Sequence, residues 1–428
     1  MSSLRRPPLE RYPEPFPSPA PEPRLRGKRI VLGVTGSIAA YKAVAVLRLL
    51  LKEGADVEVV LSAAATQFVG DATFSGLTGR PAYQAMFDPS RGGELHVDLA
   101  RGCDLFLIAP ATADFLARMS TGRADDLLGA LALCVTCPVL VAPAMHPNMW
   151  KHPATQRNWQ ALEAQGRVQR IGPVSGPVAS GDIGEGRLSE PEDIVTRVVA
   201  ELLEPTWLGK HLVVTAGPTV EAVDPVRLLT NRSSGKMGFA LAARAALRGA
   251  TVTLISGPVA LPTPLGVKRI DVRSALDMER ALDLALGADL DRADALVMCA
   301  AVADYRAARV APDKLDRSAG PTQLELTPNP DLLAALGARR KSRTPVLVGF
   351  ALQTGDWTHT VEQARAKLER KKVDMIVANR AEETLESSTI AARLITASDV
   401  EELTTLSKAH AADLILERVR ALFDEATR

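Results

Sequence analysis

Apolar residues along this chain fall into short unbroken runs separated by stretches with helical spacing. Residues 30–34 (IVLGV) form one run, Thr35-Gly36-Ser37 turns the chain, and helical spacing occupies 38–52. Gly54-Ala55 stops that helix and 57–61 is apolar again. A run buried on both faces, then a helix, then a second run is a βαβ unit, which calls for a parallel sheet covered by helices. Further strands are predicted over 104–110 and 138–143, and helices over 125–134 and 194–203.

The same grammar restarts in the second half. Residues 212–215 read as a strand, 238–248 as a helix stopped by Gly249-Ala250, and 252–256 as the next strand. EGADVEVVLS at 53–62 is echoed by RGATVTLISG at 248–257. A single echo at wide separation signals two related domains and not a solenoid. Strands follow at 295–299, 346–349 and 375–378, and an amphipathic helix at 408–422 should pack on the outside of the second domain. The fold class is therefore α/β: two Rossmann-like or flavodoxin-like doubly wound parallel-sheet domains, residues 29–203 and 204–428, with a linker at 204–209. Residues 1–28 are rich in proline and arginine, lack the apolar core of a signal peptide, and read as a disordered, extended tail.

Composition narrows this picture. At 428 residues, 46% of them hydrophobic, the chain can bury two cores. A net charge of +1 leaves no electrostatic footprint for nucleic acid, and no apolar stretch is long and charge-free enough for a bilayer. Four cysteines without framework spacing indicate a reducing compartment, hence a cytoplasmic protein. Cys134 and Cys137 form a CxxC, but within an apolar run and without a second pair, so buried thiols are expected there. His146 and His152 lack the spacing and the carboxylate of a metal pair, and no metal ligands are assigned.

Chemistry belongs at the strand ends of such a sheet. In the first half these are Gly36-Ser37, Ser62, Pro110 to Asp114 (with Thr112 and Ala113), and Pro143 to His146. Any one of these small, hydroxylated loops is ordinary; four in succession point to a flat, nucleotide-like cofactor with a phosphate tail. His96 has the right chemistry for a general base, although a lone histidine is more often structural. In the second half, Asn231-Arg232-Ser233-Ser234-Gly235-Lys236 lies between a strand and a helix start and is built for a phosphate or carboxylate. It is not a Walker loop, and neither opening strand leads into GxGxxG. Ala300 to Arg306 follows another strand and carries Asp304. Lys314, Asn329-Pro330-Asp331, and the i,i+4 pair Lys367 and Lys371 offer cations and amides. A solvated basic face is the plain reading of those lysines; a triphosphate site would need the same residues to converge.

Taken together, GVTGSIAAYK (33–42), the stretch around His96, APATADFLARM (109–119), PAMHPNMW (143–150), TAGPT (215–219), DPVRLLTNRSSGKMG (224–238) and AAVADYR (300–306) carry a family resemblance. From Arg29 onward the chain resembles the bifunctional coenzyme A biosynthesis flavoproteins, in which phosphopantothenoylcysteine decarboxylase is fused to phosphopantothenate–cysteine ligase. The resemblance implies that the second domain activates 4′-phosphopantothenate with CTP and Mg2+ as an acyl-cytidylate, from which cysteine displaces CMP. By matched position, Ala300, Asp304, Lys314, Asn329, Pro330, Asp331, Leu332, Phe350, Lys367 and Lys371 would bind CTP, and Asn231 would act on the acyl intermediate. The first domain would bind FMN, oxidise the cysteinyl thiol, release CO2 and return the electrons, giving 4′-phosphopantetheine. His96 matches the family's essential histidine. The family also implies a homo-oligomer, with flavin-domain trimers joined by ligase-domain dimers.

Three positions depart from the family pattern. His146 stands where asparagine meets the substrate carboxylate. Ser180 replaces a loop cysteine that donates a proton, and Gly186-Arg187-Leu188 replaces a GRM. Lys314-Leu315-Asp316-Arg317 keeps the first lysine of KxKK. A serine hydroxyl is a far weaker acid than a thiol, which directs attention to water or His146 as proton source. Two alternatives stay open at this point: a ligase whose flavin domain is only an oligomeric scaffold, and a non-catalytic regulatory flavoprotein.

Overall fold

The computed structural model describes residues 23–87, 94–316, 323–353, 356–380 and 389–428. The expected tail, up to residue 22, and Arg317 lie outside the described residues; residues 23–28, expected in that tail, are instead ordered, with Leu25 fully buried and its N–H bonded to the Glu53 carbonyl at 2.8 Å. The chain divides into two compact units, Glu22–Pro205 and one that begins at Thr206 and runs to Arg428.

The first unit is a parallel sheet of β1 (Arg29–Val34), β2 (Asp56–Leu61), β3 (Leu105–Ala111), β4 (Val139–Pro143) and β5 (Val168–Arg170), in the order β2-β1-β3-β4-β5. Every neighbouring pair is parallel. Its helices are α1 (Ala40–Lys52), α2 (Asp71–Thr78), α3 (Leu95–Ala100), α4 (Ala113–Thr121), α5 (Leu127–Cys134), α6 (Pro147–Lys151), α7 (Pro153–Glu163) and α8 (Pro191–Leu202). The sequence reading begins the first helix two residues early: Ser37 Oγ accepts the Ala39 N–H and its carbonyl accepts that of Ala40, so a turn precedes α1. It also begins the 125–134 helix early, because Asp126 caps α5 by accepting the Gly129 N–H at 2.7 Å. A hairpin of β6 (Val174–Pro177) and β7 (Ile183–Arg187) follows the sheet.

The second unit is built on β8 (His211–Ala216), β9 (Val220–Ala222), β10 (Leu228–Thr230), β11 (Thr251–Ser256), β12 (Val267–Asp271), β13 (Ala295–Met298), β14 (Tyr305–Ala307), β15 (Leu326–Pro328), β16 (Val346–Gln353), β17 (Met375–Arg380), β18 (Thr389–Ile395) and β19 (Val400–Ser407). Its main sheet runs β12-β11-β8-β13-β16-β17-β18-β19, parallel as far as β17 and antiparallel at the β18-β19 edge. Helices are α9 (Lys236–Leu247), α10 (Ala275–Leu286), α11 (Leu332–Arg339), α12 (Trp357–Lys371) and α13 (Lys408–Thr427). Alternate residues feed cores on both faces: Leu212, Val214, Val297 and Val348 on one, Val213, Leu296 and Leu347 on the other. α13 buries Ile415, Leu416 and Val419 beside α9, where Asp413 pairs with Arg244 and Arg248. The expected linker at 204–209 is shorter than predicted. Trp207 is 1% exposed and belongs to the second core, with its N–H bonded to the Arg248 carbonyl. Among the described residues no helix is long and apolar enough to cross a membrane.

Candidate active sites

In each unit the chain leaves its first strand to one side and returns to the other: β1 to β2 and then β3, β8 to β11 and then β13. Such a reversal opens a crevice at the carboxyl ends of the two central strands. Both crevices hold a large cavity.

The first cavity, about 660 Å3, is lined by Gly36, Ser37, Thr112, Ala113, His146 and Ser180 among others. Thr35, buried between β1 and β3, ties the loops together: its Oγ1 donates to the Pro110 carbonyl at 2.8 Å and accepts the Thr112 N–H at 3.0 Å. Gly36 is needed because a Cβ there would sit 2.3 Å from Ala64 Cβ. Thr112 caps α4 by accepting the Phe115 N–H, and Thr112 and Ala113 put the start of this helix on the cavity wall. Most of the remaining wall is apolar, including exposed Ile38, Tyr41 and Met149. A flat ring system with an anionic tail suits these surfaces.

The β6-β7 hairpin forms one side of this cavity through Pro177, Val178, Ala179, Ser180, Gly186, Arg187 and Leu188. Asp182 at its tip accepts two hydrogen bonds on one oxygen, from His146 Nε2–H at 2.8 Å and from Ser180 Oγ–H at 2.8 Å. Those two donors hold the Asp182 carboxyl below its ordinary pKa, the imidazole contributing more. His146 Nδ1 accepts the Asn148 N–H at 3.2 Å as the cap of α6, so the ring hydrogen resides on Nε2. Two expected residues stand elsewhere. Ser62 is buried and accepts the Ala65 N–H, and half-buried His96 sits on α3; neither lines the cavity.

The second cavity, about 640 Å3, is the more polar of the two. It gathers Asn231, Ala300, Asp304, Asn329, Pro330, Asp331, Leu332, Phe350, Lys367 and Lys371 from five separate segments. Asn231 Nδ2 donates to the Val302 carbonyl at 3.1 Å, joining the loops after β8 and β13. Asn329 is fixed from both ends: its Nδ2 donates to the Ala303 carbonyl and its Oδ1 accepts from Arg306, each at 2.8 Å. Lys371 Nζ reaches Asp331 Oδ1 at 2.9 Å. Burial and the neighbouring Lys371 and Arg370 charges push the Lys367 pKa down, as expected where cations crowd around an anion site. Lys314 is not on the wall. Its loop is tethered by the Leu315 N–H, which donates to Asp224 Oδ2 at 3.1 Å. Asp224 is 1% exposed; burial alone would raise its pKa, but the N–H groups of Arg227, Val226 and Leu315 outweigh it and hold the carboxyl low.

Sequence reasoning missed Thr35, Asp182 and Asp224, whose work is done through partners far along the chain. It also missed Lys408, which lines the second cavity from the start of α13. The sequence pattern marks an amphipathic helix there, and Lys408 reads only as its first residue.

The family model described as Flavoprotein matches residues 19–203, and the one described as DNA/pantothenate metabolism flavoprotein C-terminal domain matches 207–422. The coenzyme A biosynthesis bifunctional protein CoaBC of Vibrio cholerae is 46% identical over 358 residues, 83% of this chain and 88% of that protein. The chain belongs to the CoaBC family. The Escherichia coli K12 member is likewise 46% identical, over 363 residues, 83% of this chain and 86% of its own length. A crystal structure of the C-terminal domain of a CoaBC protein is 36% identical and covers 52% of this chain and 100% of that one, with a TM-score of 0.44. The protein is thus a coenzyme A biosynthesis enzyme with decarboxylase and ligase activities. The scaffold and regulatory alternatives find no support in these comparisons.

Proposed function

We propose that residues 29–203 bind FMN and decarboxylate phosphopantothenoylcysteine, and that residues 204–428 couple 4′-phosphopantothenate to cysteine with CTP. The observation that carries the assignment is the convergence of Asp304, Asn329 to Leu332, Lys367 and Lys371 on one cavity at the reversal point of the second sheet. Cations from separate segments suit a triphosphate, whose charge grows on one side as pyrophosphate departs. Mg2+ bound to a nucleotide needs only one or two protein carboxylates beside the phosphate oxygens, and Asp304 and Asp331 stand on that wall. On this reading Asn231, whose Nδ2 donates to the Val302 carbonyl, would meet the acyl group, and Lys314 would enter from the loop tethered to Asp224.

In the first cavity, the amides of Thr112-Ala113 and the Gly36-Ser37 turn would take the FMN phosphate, and the apolar wall its ring. Flavin supplies reversible two-electron oxidation when bound. The protein supplies position and proton handling. Ser180 and His146 both give a hydrogen to Asp182; the final proton comes from water or from His146, because an imidazole is a competent acid near neutral pH and a serine hydroxyl is not. His96 lies off this cavity within its own chain, and a flavin-domain trimer would bring it to a neighbour's site, with ligase-domain dimers joining the trimers. The exposed rim of Ile38, Tyr41 and Met149 is the kind of apolar surface such a contact would cover. The substrates are small cytoplasmic metabolites.

Lys314→Gln tests the ligase half. A charged hydrogen bond is worth about 1.5–3 kcal/mol, so CMP release should slow at least roughly tenfold. Unchanged CMP release would remove Lys314 from the site.

A further inference from the structure

Neither active-site cavity is lined by the CxxC of the first unit, and the neighbour of Cys137 is not Cys134 of that motif. It is Cys103, 34 positions earlier, with the two Sγ atoms 3.6 Å apart and within reach of an S–H···S hydrogen bond. The sheet brings them together. β3 and β4 are parallel neighbours with Phe106 opposite Val139, and the two cysteines sit just before those strands begin. α3, packed on α5, leads into Cys103, whose N–H donates to the Ala100 carbonyl at 3.2 Å. Both thiols are half-buried, not fully buried as expected of the CxxC, and each adjoins an exposed residue, Gly102 or Thr136. A small oxidant in solvent can reach them.

The two sulfurs are not equivalent. The Cys103 S–H foremost, then backbone groups and the Arg167 charge, hold the Cys137 pKa below that of an ordinary thiol against the opposing effect of burial. The same pairing, with burial, drives the Cys103 pKa up. Arg167 is fixed beside Cys137 because its guanidinium also holds the Val135 carbonyl. A pair that shares one proton in this way has an attacking thiol and a resolving thiol. In the second unit burial instead drives the Cys299 thiol up to about 12, away from thiolate chemistry.

We propose that Cys103 and Cys137 form a reversible thiol-modification site, at which a low-molecular-weight disulfide is reduced and an intrachain disulfide clamps the starts of β3 and β4 together. The Cys137 thiolate attacks one sulfur of the small disulfide, forming a mixed disulfide and expelling one small thiolate. Cys103 then loses its proton, and its sulfur attacks Cys137 Sγ and expels the second small thiolate. The two protein protons pass to the departing thiolates. Two protein thiols and one small disulfide become one protein disulfide and two small thiols.

The test exposes full-length, FMN-loaded protein to excess oxidised glutathione, blocks remaining thiols with iodoacetamide and maps the tryptic peptides by mass spectrometry. The peptides carrying Cys103 and Cys137 should be cross-linked, Cys134 and Cys299 alkylated, and dithiothreitol should reverse the link. Cys103→Ser should stop at a glutathione mixed disulfide on Cys137, whereas Cys137→Ser should leave Cys103 unmodified. Neither residue lines the flavin-domain cavity, so both variants should keep CO2 release within about twofold. Closing a 34-residue loop should raise the unfolding midpoint of the first unit by about 5 °C or more, and Cys137→Ser should lack that rise. The wild-type map decides the proposal without any substitution. Cys103 and Cys137 both alkylated after oxidation, or Cys137 linked to Cys134, overturns it. A Cys103–Cys137 link that leaves the midpoint unchanged overturns the clamp, and glutathione on Cys103 in Cys137→Ser overturns the order of attack.

Discussion

At the scale of single residues, the decisive contacts are those that fix a hydrogen or a charge. Asp182 takes hydrogens from both His146 and Ser180, and of these two donors only the imidazole is a competent acid near neutral pH. Ser180→Ala should therefore still yield phosphopantetheine, within a few-fold of wild type, because it removes no proton source. His146→Asn should accumulate the oxidised enethiol if the imidazole is that source. Liquid chromatography of the products separates the outcomes, and a Ser180→Ala enzyme that alone stalls at the enethiol would return the role to the hairpin. Residue types were legible in the sequence wherever a motif held them together: Asn231, Asp304 and Asn329 to Leu332 all reach one cavity. Lys408 and Asp224 were not, because nothing local marks a lysine that opens a helix or an aspartate whose partner is 91 positions away.

At the scale of elements, the apolar runs located the strands because parallel strands are buried on both faces. Helix starts were less legible: Ser37 and Asp126 hydrogen-bond neighbouring backbone before the helix begins, and hydrophobic spacing does not register that. The β6-β7 hairpin escaped notice because its exposed, glycine-containing strands bury little. α10 offers a quantitative check on capping. Ser274 and Asp277 form a reciprocal cap, and the Ser274 N–H foremost, aided by its hydroxyl and Arg280, lowers the Asp277 pKa from 3.8 to about 2. A carboxyl depressed on folding contributes stability above its unfolded pKa and loses it as pH falls through the folded one. Urea midpoints should therefore decline between about pH 4 and pH 2 through this group, and Asp277→Asn should flatten that limb. Ser274→Ala should cost about 1 kcal/mol at neutral pH. A wild-type acid limb unchanged in Asp277→Asn would show that the cap does not couple to folding.

At the scale of the whole molecule, the echo of EGADVEVVLS in RGATVTLISG has a structural meaning. Each segment lies at the second strand of a sheet that reverses about its first, and each reversal holds a cavity. What the sequence could not convey is which residues of another copy would complete a site in the proposed trimer, since periodicity records burial within one chain. Light scattering at micromolar concentration should give an oligomer; a monomer would leave His96 without a flavin site to join. The central claim is that one chain performs two consecutive reactions, and one measurement tests it most directly. Purified, FMN-loaded protein is given phosphopantothenate, cysteine, CTP and Mg2+, and pyrophosphate and CO2 are followed together. The account predicts pyrophosphate first, then CO2 approaching one equivalent per pyrophosphate as phosphopantetheine forms. Pyrophosphate without CO2, with phosphopantothenoylcysteine accumulating, would contradict it.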